Sequence, residues 1–115
     1  MYKTPRRHQR LQLQVPVEMR PAPDGNPIHA VTTDLSAGGF YVEMMFTLAI
    51  GTEVDIVLQL GDSTVLALGQ VVTCDPTVGN GVRLTRMLPE DQQELERFLQ
   101  ASEAANASGA KSGGQ

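Results

Sequence analysis

Between Leu11 and Arg20 the sequence alternates without a break: Leu11, Leu13, Val15, Val17 and Met19 are apolar, and Gln12, Gln14, Pro16, Glu18 and Arg20 stand between them. A period of two places the apolar set on one face of an extended chain, so the segment reads as a half-buried strand. Pro16 lacks a ladder donor, which predicts an edge position or a bend there. The run Pro21-Ala-Pro-Asp-Gly-Asn-Pro27 is packed with turn formers, Asp24-Gly25 among them, and precedes a short extended stretch from Ile28 to Thr33; together they predict a hairpin. Further strands are expected over 40–46, 53–60, 64–74 and 82–86, separated by Gly51-Thr52, Gly61-Asp62-Ser63 and residues 75–81. The expected fold class is all-β with a C-terminal helix, a six-stranded antiparallel β-barrel. Closure leaves no long edge to recruit another chain, although an open sandwich carries the same strand pattern.

Pro89 suits the first turn of a helix, Glu90 and Asp91 complement its positive end, and Leu95, Phe98 and Leu99 fall on one face. This helix is expected to cap the barrel. The expected organisation is an arginine-rich, flexible segment over 1–10, a barrel with its capping helix over 11–101, and a disordered tail over 102–115, rich in Ala, Ser, Gly and Asn and too poor in apolar residues to offset the entropy of ordering.

The 115 residues suit one small domain. Cys74 is the only cysteine, so no internal disulfide or zinc cage is available; it reads as a small apolar side chain at a strand end. No apolar run approaches the roughly 18 residues of a membrane span, and no signal-peptide core follows the first residues. These features predict a soluble, cytoplasmic protein without membrane insertion. The net charge is −4, yet Lys3, Arg6, Arg7 and Arg10 crowd the first ten positions and the first acid is Glu18. An acidic chain with one basic arm is a poor partner for duplex DNA, which rewards broad positive surface. Tyr2, Phe40, Tyr41, Phe46 and Phe98 are too few and scattered to stack single-stranded bases. No nucleic-acid partner is therefore expected. His8 and His29 stand apart from other ligand-type residues, and no acid–base pair, metal cage or activated nucleophile has recognisable spacing; the chain is not expected to be an enzyme. Strand periodicity favours core positions for Met44, Met45 and Phe46 over a docking surface.

Pairing residue 10 with residue 34 across the first hairpin puts its midpoint inside the proline-rich turn, so Arg10 and Asp34 are expected at one barrel end. Asp34-Leu35-Ser36-Ala37-Gly38-Gly39 lies there too, with glycines that permit positive φ and a close backbone approach. Guanidinium groups can bridge phosphate oxygens or the O6/N7 edge of guanine, and a carboxylate can accept from N1 and N2. The combination suits a guanine nucleotide.

At these residues the chain resembles the PilZ family, whose ligand-binding members carry an RxxxR motif before the barrel and a [D/N]xSxxG motif between two strands. Arg6-Arg-His-Gln-Arg10 and Asp34-Leu-Ser-Ala-Gly-Gly39 supply both. The resemblance covers roughly residues 5 to 100, including Gly79-Asn-Gly-Val-Arg83 before the last strand. It implies a PilZ-like barrel and cyclic di-GMP as ligand, with no further cofactor. Arg6 and Arg10 would grip phosphates and guanine faces, Asp34 and Ser36 would read guanine or phosphate edges, and Gly39 would keep the turn open, with Gly38 beside it. Arg7 is a secondary candidate for a phosphate, and Arg83 could reach the ligand from the barrel wall. The residue before the first motif arginine, Pro5, leaves open whether one ligand molecule or an intercalated pair is bound. The implied function is a cyclic di-GMP receptor that couples binding to an unidentified protein partner in motility, exopolysaccharide or developmental signalling. The alternative is a PilZ-fold interaction adaptor that works without the nucleotide.

Overall fold

The computed structural model describes the backbone of residues 11–113 and the side chains of residues 11–105. Six strands, β1 (Pro16–Pro21), β2 (Ile28–Ser36), β3 (Gly39–Glu43), β4 (Glu53–Leu60), β5 (Ser63–Asp75) and β6 (Gly79–Arg86), precede one helix, α1 (Pro89–Gly113). They form a closed antiparallel barrel in the order β1-β2-β3-β6-β5-β4, sealed where Val17 of β1 faces Leu58 of β4. Closure settles the choice between barrel and open sandwich.

The period-two pattern does the inward sorting. Val54, Ile56, Leu58 and Leu60 of β4 alternate with outward Glu53, Asp55 and Gln59, and Val65, Ala67 and Val71 of β5 join them inside with Val17, Met19, Leu35, Phe40, Val42 and Val82. Each of these side chains larger than alanine contributes about 1.5–3 kcal/mol by leaving water. Leu95 of α1 is fully buried, and Phe98 and Leu99 pack on the same core, so the predicted apolar face of the helix is the one that closes the barrel. Ser63 Oγ, at the β4–β5 hairpin, donates to Glu94 Oε2 at 2.7 Å and fastens the helix to that end.

The first predicted strand is shorter than its alternation. Only Pro16–Pro21 pairs regularly, at Pro16↔Val31 through Met19↔Ile28. Upstream of Pro16 the ladder gives way to a side chain: buried Thr32 accepts from Val15 N at 3.0 Å and donates to Leu13 O at 2.6 Å. A single isolated bridge follows at Leu11, which exchanges two 2.9 Å backbone bonds with Leu35. The Pro16↔Val31 and Leu11↔Leu35 registers differ by one residue, the slip that Thr32 bridges. The irregular pair is Val15 and Thr32, which keeps one backbone bond, Thr32 N to Val15 O at 2.9 Å, and replaces the other with the Thr32 hydroxyl.

Three further segments depart from expectation. The third strand ends at Glu43 rather than 46: Met44 packs on the core, but Met45 and Phe46 are 71% and 86% exposed, so these two are not core residues. The last strand begins at Gly79 rather than 82, because the Gly-Asn-Gly sequence, which looks like a turn, pairs with both neighbouring strands. The helix continues through 102–113, where composition predicts a tail. Ala101, Ala104 and Ala105 are strong helix formers, and propagation from a turn already formed adds one hydrogen bond per residue ordered.

Candidate functional site

The β2–β3 hairpin turns through Ala37 and Gly38, with Ser36 opposite Gly39. Ser36 is 4% exposed, and its hydroxyl organises the turn: Oγ accepts from Gly38 N at 3.1 Å and Gly39 N at 3.2 Å, and faces Gly39 O at 3.3 Å. Gly38 O accepts from Leu84 N at 2.8 Å, which docks the turn against β6. The expected reason for the glycines needs correcting. Among the described glycines positive φ occurs at Gly51 and Gly61, not at Gly38 or Gly39. Gly39 is required by space instead: a Cβ there would lie 2.2 Å from Val82 O, a backbone atom that cannot swing aside.

Outward positions carry the remaining candidates. Leu35 and Phe40 face the core, so Asp34, which lies opposite Tyr41, is on the outer side and half-buried. Gly39 stands opposite Arg83 on β6, and Arg83 in turn stands opposite Gln70 on β5. The outer row therefore runs Ser36, Gly39, Arg83, Gln70, with bare backbone at its second position. Arg83 is exposed, and its guanidinium makes one long contact, Nη2 to Gln70 Oε1 at 3.4 Å. A hollow of about 220 Å³ adjoins the turn, lined by Ala37, Gly38, Thr85, Arg86 and Gln92 among others. Larger hollows lie along the β4–β5 wall and share Arg86 with this one.

The structure thus gathers Asp34, Ser36, Gly38, Gly39 and Arg83 around one hairpin. Arg6, Arg7 and Arg10 lie outside the described residues. The first described residue, Leu11, is bonded to Leu35 inside the second motif, so the chain leaves the arginine-rich segment directly beside the turn.

Tyr41 was not legible as part of this neighbourhood. A Cβ on Gly79 would fall 2.7 Å from its ring and one on Gly81 3.7 Å, so the ring covers two glycines of β6. Its hydroxyl donates to Asp75 Oδ2 at 2.7 Å. That bond, with desolvation second, pushes the phenol up to about 12. The signal was the pairing of Tyr with alternate glycines on the facing strand, which requires the register to be known. The remaining candidates are ordinary: His29 is exposed with Nε2 3.3 Å from Glu18 Oε1, and Cys74 is half-buried. Among the described residues no cluster of His, Cys, Asp or Glu could hold a metal ion, and no helix is long and apolar enough to cross a membrane.

Known proteins share this architecture. The inhibitor of motility MotI/DgrA of Bacillus subtilis superposes with a TM-score of 0.72 at 17% identity, over 89% of this chain and 53% of its own, so the chain spans about half that protein's length. The PilZ domain of CeSA from a cellulose-synthesizing bacterium gives 0.68 at 23% identity, covering 83% and 98% of the two chains. The PilZ domain of YcgR from Escherichia coli, solved with c-di-GMP, gives 0.76 at 17% identity over 94% and 98%. Comparison with curated proteins gives no significant match. The sequence profile of the PilZ domain matches residues 4–101, and with the barrel and helix described above it shows that the chain belongs to the PilZ domain family.

Proposed function

We propose that this chain is a receptor for cyclic di-GMP, bound on the outer side of the barrel at the β2–β3 hairpin. PilZ domains are generally non-catalytic receptor domains that commonly bind this messenger, and the similar YcgR domain was solved with it. The observation that carries the reading is the Leu11–Leu35 bridge, which ties the end of the Arg6–Arg10 segment to the hairpin bearing Asp34. In the proposed complex Arg6 and Arg10 hold phosphates and stack on guanine, with Arg7 as a further phosphate contact. Asp34 accepts from guanine N1 and N2. Arg83 reaches across the bare backbone of Gly39, and Gly38 lets the ligand approach the turn. Ser36, buried, acts by holding two turn amides in place beneath the ligand.

Four cations with no acid among them in the first ten residues repel one another until phosphates neutralise them, so ligand binding orders that segment over the barrel. The ordered segment is a new surface that a protein partner can read, without movement of the barrel. Motility control, as in the name of the similar Bacillus inhibitor of motility, is one process such a switch serves, in the cytoplasm.

Titration calorimetry of the full chain with cyclic di-GMP tests this. The expected result is saturable binding near micromolar, about −8 kcal/mol, with no comparable heat from cyclic GMP or GTP. Absence of binding would leave the nucleotide-independent adaptor as the better account.

A further inference from the structure

The barrel end opposite the helix and the hairpin tip carries a second surface, and nothing in the ligand reading uses it. Three connections meet there: the β1–β2 turn, the loop 44–52 and the β5–β6 turn. Backbone bonds join them and their flanks, with Ala22 N to Glu53 O at 2.8 Å, Met44 N to Val78 O at 2.9 Å and Gly51 N to Val71 O at 2.8 Å. Met45, Phe46, Ile50 and Val78 stand 56–86% exposed on these connections, and Val72, at the bulge of β5 beside Gly51, is 42% exposed.

These side chains are not on slack chain. Asn80, fully buried on β6, donates from Nδ2 to Leu48 O at 2.9 Å and Thr73 O at 3.1 Å, and its Oδ1 accepts from Leu48 N at 2.8 Å. Thr52 closes the loop by donating from Oγ1 to Ala49 O at 2.6 Å. A loop fastened at its middle and both ends presents Phe46 and Met45 to solvent in a fixed arrangement. A partner that covers them gains apolar burial without the cost of ordering a loop.

Charge selects among the possible occupants. Residues 21–27, 43–53 and 72–79 contain Asp24, Glu43, Glu53 and Asp75, all exposed, and no Lys, Arg or His. The nearest cation in register, Arg20, stands opposite Asp55 on β4. An anionic bilayer surface is repelled by such a rim, because peripheral attraction to it runs through Lys and Arg. A second copy docked end to end brings the same carboxylates against themselves.

We infer that this end of the barrel docks a cationic apolar segment of another protein, in which one or two large apolar side chains cover Met45 and Phe46 and flanking Lys or Arg residues meet Glu43, Glu53 and Asp75. The surface would operate whether or not cyclic di-GMP binds at the other end.

A random peptide library panned on the immobilised full chain, with counter-selection on a Met45→Ser/Phe46→Ser variant, tests the inference directly. The expected winners combine Phe, Leu or Trp with Lys or Arg. As synthetic peptides they should bind the variant at least tenfold more weakly than the wild type, and lose affinity as salt is raised. Both substituted residues are exposed, so the variant should keep the wild-type unfolding midpoint; should it not, an Ile50→Ser/Val78→Ser variant repeats the test. No enrichment, an acidic consensus, or equal binding to both proteins would overturn the assignment. So would flotation with phosphatidylglycerol vesicles, or a dimer in sedimentation velocity, that the same substitutions abolish.

Discussion

Two connections leave the ends of β3, and each is governed by one buried polar side chain. The tight turn at Ala37-Gly38 is held by Ser36, which reaches two and three residues ahead in its own segment. The loop 44–52 is held by Asn80, which acts across 32 residues. A local clamp makes a rigid platform for a small ligand, and its residues form a recognisable string. A distant clamp shapes a long loop and leaves no string at all. Both ends of the barrel are accordingly held by side-chain bonds, yet they differ in chemistry: at one, Leu11 is bonded to Leu35 beside the turn, and the other is acidic with an apolar centre.

If each clamp acts on its own end, the two should be separable by mutation. The largest effect is expected for Asn80→Ala, which strands Leu48 N, Leu48 O and Thr73 O: a loss of about 3 kcal/mol in urea unfolding, with hydrogen-exchange protection lost at Leu48 and ligand affinity nearly unchanged. Ser36→Ala should cost less, about 1–2 kcal/mol, since it strands two turn amides rather than three backbone groups, and one of them, Gly38 N, is only half-buried. It should weaken cyclic di-GMP binding several-fold and leave Leu48 protected. Loss of protection at both ends in either variant would show that the two clamps are coupled.

The smallest effect concerns Tyr41, whose hydroxyl links β3 to Asp75 at the end of β5, opposite the start of β6. Its folded value of about 12 lies above the ordinary 10.0, so the folded state holds this proton more tightly. The resulting stability is fully present below pH 10 and is lost as pH rises through about 12. Tyr41→Phe should cost about 1 kcal/mol at neutral pH and make unfolding midpoints less sensitive to pH across that window. A Phe variant with the wild-type alkaline profile would assign the loss to other groups.

The barrel was legible because its strands show local patterns. Val54 to Leu60 largely alternate, residues 64–74 form an apolar run of strand length, turn formers separate the two, and Pro89 with two acids marks the helix start. The hairpin carrying Asp34 to Gly39 was legible because its contacts are local and its residues fall in a short motif. What failed depends on partners far away in sequence. Gly79-Asn80-Gly81 reads as a turn until Tyr41 is seen to cover the two glycines and Leu48 to occupy the asparagine. Met45 and Phe46 read as core because apolar side chains continue past Glu43, where the strand stops. The pairing of residue 10 with 34 rested on the turn's midpoint alone; the regular ladder pairs Pro16 with Val31, and the bridge puts Leu11 opposite Leu35, at the same barrel end but in a different register.

The central claim is that the arginine-rich segment and the β2–β3 hairpin act on one ligand. Repeating the cyclic di-GMP titration with Arg10→Ala and with Asp34→Ala tests it most directly. The account predicts that each substitution alone removes most of the affinity, at least tenfold, while the unfolding midpoint of each variant stays close to that of the wild type. Wild-type affinity in both variants would contradict it.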